Sequence, residues 1–143
     1  MKSVKLSISS VPEIYALYKN DFKDGWTEEM LTSAFETGRF NVYGVYDDTL
    51  LVGVISFSVT IDTADLEDVY VLPSYRQKGL ASDLFCDMEK FIIPLGVKKL
   101  FLEVRKFNAP AISFYQKQGM VKISERKKYY SDGEDALVFV KEY

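Results

Sequence analysis

Apolar and polar positions alternate along this chain with two distinct periods. Ile14, Leu17 and Tyr18 recur at helical spacing behind Ser10-Val11-Pro12-Glu13, whose S-x-x-E form is that of a capping box and predicts a first helix starting there. A second helix is predicted after Thr27 as N-cap. Glu28 and Glu29 fall in its first turn, Met30, Leu31, Ala34 and Phe35 follow, and Gly38 closes it. Two β-rich runs at 40–46 and 50–59, joined through Asp47-Asp48, predict a hairpin. Another strand at 66–72 ends at Pro73, and Leu80, Leu84, Phe85, Met88 and Ile92 then mark an amphipathic helix stopped by Pro94 and Gly96. A short apolar strand at 100–104 leads to Asn108, an N-cap with Pro110 in the first turn of a helix that Gly119 terminates. Strands at 121–127 and 136–140 complete the chain. This order predicts one α/β layered domain over residues 1–143, built on a mixed sheet.

Composition narrows the chemistry. With 143 residues, 48% hydrophobic and 27% charged, the chain can bury a real core without disulfide or metal. Its 18 Lys and Arg against 21 Asp and Glu leave it slightly acidic, which argues against a nucleic-acid partner and makes any anion site local. No apolar run is long enough for a signal peptide or a membrane span, so the expected setting is cytoplasmic with no membrane partner. The single cysteine, Cys86, lies among Leu84, Phe85 and Met88 and reads as a buried packing position. There is no histidine, so the commonest general base and metal ligand is missing. Acid–base work falls to carboxylate, tyrosine, lysine or water, and no metal is expected.

Three features carry candidate chemistry. Residues 71–81 place Arg76, Lys78 and Gly79 between a strand and an amphipathic helix, where free backbone N–H groups can meet a pyrophosphate; a solvated connection accounts for the pattern equally well. It is neither a P-loop nor a dinucleotide fingerprint. Glu103 interrupts the apolar run Leu100-Phe101-Leu102-Glu103-Val104; if that strand is central, partial desolvation would raise the carboxyl toward the value a base for an ammonium needs, whereas on an edge strand it would simply face water. Tyr115, beside Phe114, is either a proton donor or a core aromatic.

In order and spacing these features resemble the GNAT superfamily of N-acetyltransferases, and from Val69 onward its ribosomal-protein-alanine N-acetyltransferase branch. The matching stretches are Tyr75-Arg76-Gln77-Lys78-Gly79-Leu80-Ala81, Leu102-Glu103-Val104-Arg105 with Asn108 and 111–115, and Tyr129-Tyr130 followed by Asp132-Gly133-Glu134-Asp135-Ala136. Gly25-Trp26-Thr27 resembles the P-W-S of the branch's first inter-helix loop. The resemblance implies a mostly antiparallel mixed sheet splayed between strands four and five, flanked by helices. It further implies acetyl-CoA as co-substrate. Pantetheine would pair with Val69, Tyr70 and Val71, the pyrophosphate would rest on the amides of Arg76, Gln77, Lys78, Gly79, Leu80, Ala81 and Ser82, and Asn108 would hold the pantetheine arm. Glu103 is then the base, Tyr115 the acid, and Trp26, Tyr129 and Tyr130 line the groove for a protein N-terminus, such as that of a ribosomal protein. Three positions depart from the pattern: Ala81 stands for the second glycine, Met120 for a phenylalanine, and Gly25 for the proline before Trp26. Acetylation of a small-molecule amine, or acyl-CoA binding without turnover, are the alternative readings.

Overall fold

The computed structural model describes residues 1–19 and 26–143; residues 20–25, and with them the expected departure at Gly25, lie outside the described residues. The elements are β1 (Ser3–Lys5), a 3-10 turn (Ile8–Ser10), α1 (Val11–Tyr18), α2 (Glu28–Glu36), β2 (Phe40–Asp47), β3 (Leu50–Thr60) and β4 (Thr63–Val71). A second 3-10 turn (Pro73–Tyr75), α3 (Leu80–Ile92), β5 (Lys99–Arg105), α4 (Ala109–Lys117), β6 (Val121–Arg126) and β7 (Ala136–Glu142) follow. One seven-stranded sheet runs in the order β1-β2-β3-β4-β5-β7-β6, and only the β4–β5 neighbours are parallel. The expected mixed, mostly antiparallel sheet is therefore present. No helix among the described residues is long and apolar enough to cross a membrane.

Strand alternation divides the core between the two faces of the sheet. Val54 joins Ile14, Leu17, Tyr18 and Leu31 under α1 and α2, while its neighbour Ile55 joins Leu84, Phe85, Met88 and Ile92 of α3. Thr27 caps α2 as expected, its Oγ1 accepting from the Met30 amide at 3.1 Å.

Three local expectations are overturned. The Ser10–Glu13 capping box does not form: Ser10 makes no side-chain cap, its Oγ instead accepts from the Ser7 amide at 3.4 Å, and Glu13 accepts from the Tyr46 hydroxyl. The 3-10 turn ahead of α1 shifts the capping serine to Ser7. Cys86 is exposed, because the helical phase set by Leu84, Phe85 and Met88 turns position 86 outward. β4 begins at Thr63, earlier than expected, because Thr60 and Thr63 close a tight hairpin around Ile61 and Asp62. The three-residue strand β1 carries no periodic signal and is held by pairing with β2.

Two irregularities position the site. β4 pairs with β5 only from Thr63↔Lys99 to Asp65↔Phe101, and beyond that rung the two strands diverge. In β4, Ser56 faces Asp68 and Phe57 faces Leu66, so Glu67 is the extra residue of a bulge. The bulge reverses the side-chain phase, leaving Leu66 in the α3 core but Tyr70 in the α1–α2 core.

Candidate active site

On the α3 side of the splay a cavity of about 500 Å³ is lined by Val71, Arg76, Gln77, Gly79, Leu80, Ala81 and Ser82, closed by residues of α4. Gln77 and Gly79 both adopt left-handed backbone, with φ of 61° and 81°. Such a turn just before a helix gathers N–H groups into an anion-binding concavity, and the Gly79 position opens on space with no atom within 4 Å of where a Cβ would stand. Arg76 contributes less directly. Its Nε donates to the Val71 carbonyl at 2.7 Å, which ties the loop to the strand end. Lys78 does not line this cavity; its ammonium lies 5.5 Å from the Tyr75 ring centroid.

The three residues expected to pair with pantetheine are not equivalent. The Leu72 amide donates to Val52 on β3, and backbone direction alternates along a strand, so Tyr70 also turns its amide and carbonyl toward β3. Val69 and Val71 turn theirs toward the splay. Tyr70 is thus corrected from a backbone contact to a packing residue, its ring buried against Tyr18 and beneath the Arg76 guanidinium.

A second cavity, of about 470 Å³, opens on the other side of the splay. Trp26, Met30 and Tyr130, brought from distant parts of the chain, line it together with Asp68, Val69, Glu103, Asn108 and Tyr115. Asn108 caps α4, its Oδ1 accepting from the Ala111 amide at 3.3 Å, and it also lines this cavity. The Tyr115 phenol is held well above its ordinary value by burial first and by the Asp68 carboxylate second. It stays protonated at neutral pH, as a proton donor must.

Glu103 differs from expectation. Its side chain is 33% exposed and ion-paired with Arg126 at 3.2 Å, so the dry surroundings expected of a central strand are absent. β5 is central by pairing, but the splay opens the face that Glu103 occupies. Tyr129 also hydrogen-bonds Glu103, and it lines an adjoining cavity rather than the one with Trp26. Asp65 and Glu67 stand beside Glu103 in that adjoining cavity; burial, and then the Glu103 charge among others, raises both carboxyls. The rim is acidic.

The sequence pattern of the acetyltransferase (GNAT) family matches residues 11–120. The chain belongs to the GNAT acetyltransferase family. The putative ribosomal protein bS18-alanine N-acetyltransferase of Bacillus subtilis is 29% identical over 135 residues, covering 93% of this chain and 89% of that protein. The corresponding Escherichia coli K12 enzyme is 28% identical over 136 residues, covering 93% and 91%. The crystal structure of the ribosomal-protein-S18-alanine N-acetyltransferase from Escherichia coli superposes with a TM-score of 0.89 at 26% identity, over 99% of this chain and 92% of that one. The GNAT splay accounts for the unpaired β4 edge, and acetyl-CoA is the co-substrate of this fold.

Two groups in the GNAT site were not singled out in the sequence. Arg105 Nη1 donates to Asp132 at 3.0 Å and to Glu134 at 2.8 Å, while its guanidinium stacks 4.1 Å from the Tyr130 ring centroid. Glu134 also accepts from the Phe107 amide, and Asp135 from the Lys128 amide. The acidic D-G-E-D run therefore holds the loop that presents Tyr130. Its signal was the pairing of this run with a lone arginine at the end of an apolar strand. The other is Asp68, an acid on the otherwise apolar series Leu66, Asp68, Tyr70.

Proposed function

We propose that this chain transfers the acetyl group of acetyl-CoA to the α-amino group of a protein N-terminus, such as that of a ribosomal protein, in the cytoplasm. The observation that carries this reading is the second cavity, in which two aromatic walls from distant parts of the chain, Trp26 and Tyr130, meet Glu103 and Tyr115 at the mouth of the splay. Aromatic walls exclude water from an attacking amine and position an extended peptide, and the acidic rim attracts its ammonium. The names of the two bacterial relatives support the same acceptor class.

In this reading Val69 and Val71 offer their backbone edges to pantetheine as an added half-strand, and the amides of 76–82 hold the pyrophosphate. Glu103 collects a proton from the amine through water, since its charge is solvated and paired with Arg126. The amine attacks the thioester carbonyl directly, and the Tyr115 phenol protonates the departing thiolate. The strip of Asp65, Glu67 and Glu103 equally suits a small polyamine, which is the second reading. Mass spectrometry of peptides incubated with the purified protein and acetyl-CoA, with spermidine as competitor, tests the two. Modification of the α-amine supports the first, and modification of spermidine alone the second.

A further inference from the structure

Asp68 is an unusual residue to find where it lies. The Glu67 bulge swings it onto the α1–α2 face of the sheet, where its side chain is buried and hydrogen-bonds Tyr18. Its Oδ2 has no hydrogen-bond partner, and among the described residues it has no ion-pair partner. A buried carboxylate without a cation is costly, and an apolar residue of similar size would pack this position better. The same side chain lines the cavity that holds Tyr115, Glu103 and the aromatic walls. The titratable and charged groups around it are Tyr18 on α1, Glu67 and Tyr70 on β4, Tyr115 on α4, Glu103 and Arg105 on β5, and Tyr130.

We propose that Asp68 is a second catalytic carboxylate of this site, receiving the proton that the acceptor ammonium must lose before it attacks. The inference rests on the acetyl-transfer reading but not on which amine is the acceptor. Two protons leave the nitrogen in the reaction, and one is needed by sulfur. The ammonium gives the first to Asp68, and the neutral amine forms its N–C bond to the acetyl carbonyl. The nitrogen, now carrying positive charge, gives the second to Glu103 through water. The C–S bond breaks and the thiolate takes the Tyr115 proton. Asp68, whose charge reaches the Tyr115 phenol, then returns its proton to the phenolate, and Glu103 releases its own to solvent, so one proton is released per turnover. Burial pushes the Asp68 carboxyl up to about 7, with Tyr18 and the Val69 backbone holding it down and Glu67 adding to the rise. A group so placed is matched to exchange protons at neutral pH.

The test is the pH profile of kcat/KM for whichever amine the purified enzyme acetylates, in wild type, Asp68→Asn, Tyr18→Phe and Glu103→Gln. Asp68→Asn keeps an acceptor for Tyr18 and should lower kcat/KM for the amine by about 10²-fold or more at pH 7, abolish the acidic limb, and leave CoA affinity unchanged. Tyr18→Phe removes a hydrogen bond that holds the carboxyl down, so the acidic limb should move to higher pH. Glu103→Gln should lower the rate while retaining the limb. If Asp68→Asn keeps the wild-type rate and limb, or Tyr18→Phe leaves the limb in place, the proposal is overturned. Should Asp68→Asn fail to fold, Tyr18→Phe decides alone. Failure of wild type to acetylate any amine would count against the acetyl-transfer reading, and a preference for a non-peptide amine against the acceptor assignment alone.

Discussion

Asp65 stands opposite Phe101 on the last rung that joins β4 to β5, and beyond it the backbone edges of Val69 and Val71 face a gap instead of a partner strand. Tyr70, between them, is turned to β3. Hydrogen exchange can read this alternation. Saturating CoA should slow exchange at the Val71 amide by about tenfold or more while leaving Tyr70 unchanged, because the Val71 amide gains a partner, whereas the Val69 amide already donates to the Asp68 carboxylate. Equal protection of Val71 and Tyr70, or of neither, would remove the added-strand assignment.

Replacing Glu103 by glutamine preserves the shape of the side chain while removing its charge and its ion pair with Arg126. We expect acetyl-CoA affinity to be retained and kcat to fall by about 10²-fold, at the lower end of what positioned bases contribute, since this carboxylate works through water. Steady-state kinetics at neutral pH, with CoA titration calorimetry alongside, checks both halves. An unchanged kcat would make Glu103 a structural partner of Arg126.

Arg105 and Tyr130 act as one unit, stacked at 4.1 Å and anchored by Asp132 and Glu134. Either Tyr130→Ala or Arg105→Ala should lower kcat/KM for a peptide by roughly tenfold or more and barely change the KM for acetyl-CoA. The double variant should cost little beyond the worse single one, since residues in contact couple strongly. Full additivity would show that they act separately.

A pH dependence of stability follows from Asp68. Its carboxyl is raised on folding, so the folded chain binds that proton more tightly; the advantage is complete below the ordinary carboxylate range and is lost as pH rises through about 7. Asp68→Asn cannot ionise. Its unfolding free energy relative to wild type should therefore grow by roughly 2–3 kcal/mol between pH 5 and 7.5, at most ~1.4 kcal/mol per pH unit. Urea melts at the two pH values measure this, and parallel behaviour of the two proteins would contradict it.

Most elements announced themselves in the sequence because their apolar periods match their packing. Leu84, Phe85, Met88 and Ile92 define one face of α3, and all four are buried. What did not announce itself depended on contacts between distant segments. The burial of Asp68 is set by the β4 bulge, whose register against β3 no local pattern displays. The exposure of Glu103 follows from the splay, which opens a face that a central strand normally covers. The apolar neighbours Leu84, Phe85 and Met88 suggest burial at Cys86, but their helical phase turns that position outward. Family resemblance implied the roles expected of Trp26 and Tyr130, the sequence itself offered Tyr115 as a proton donor, and the structure brings all three into one cavity with Glu103.

The acceptor class is tested most directly by identifying the acetylated atom. Purified protein and acetyl-CoA are incubated with peptides that differ in their first residues, with the same peptides blocked at the N-terminus but carrying an internal lysine, and with spermidine; the products are sequenced by tandem mass spectrometry. The account predicts acetyl groups on free α-amines, led by the Ala-starting peptide, with blocked peptides and spermidine little modified. Preferential acetylation of the lysine side chain or of spermidine would contradict it.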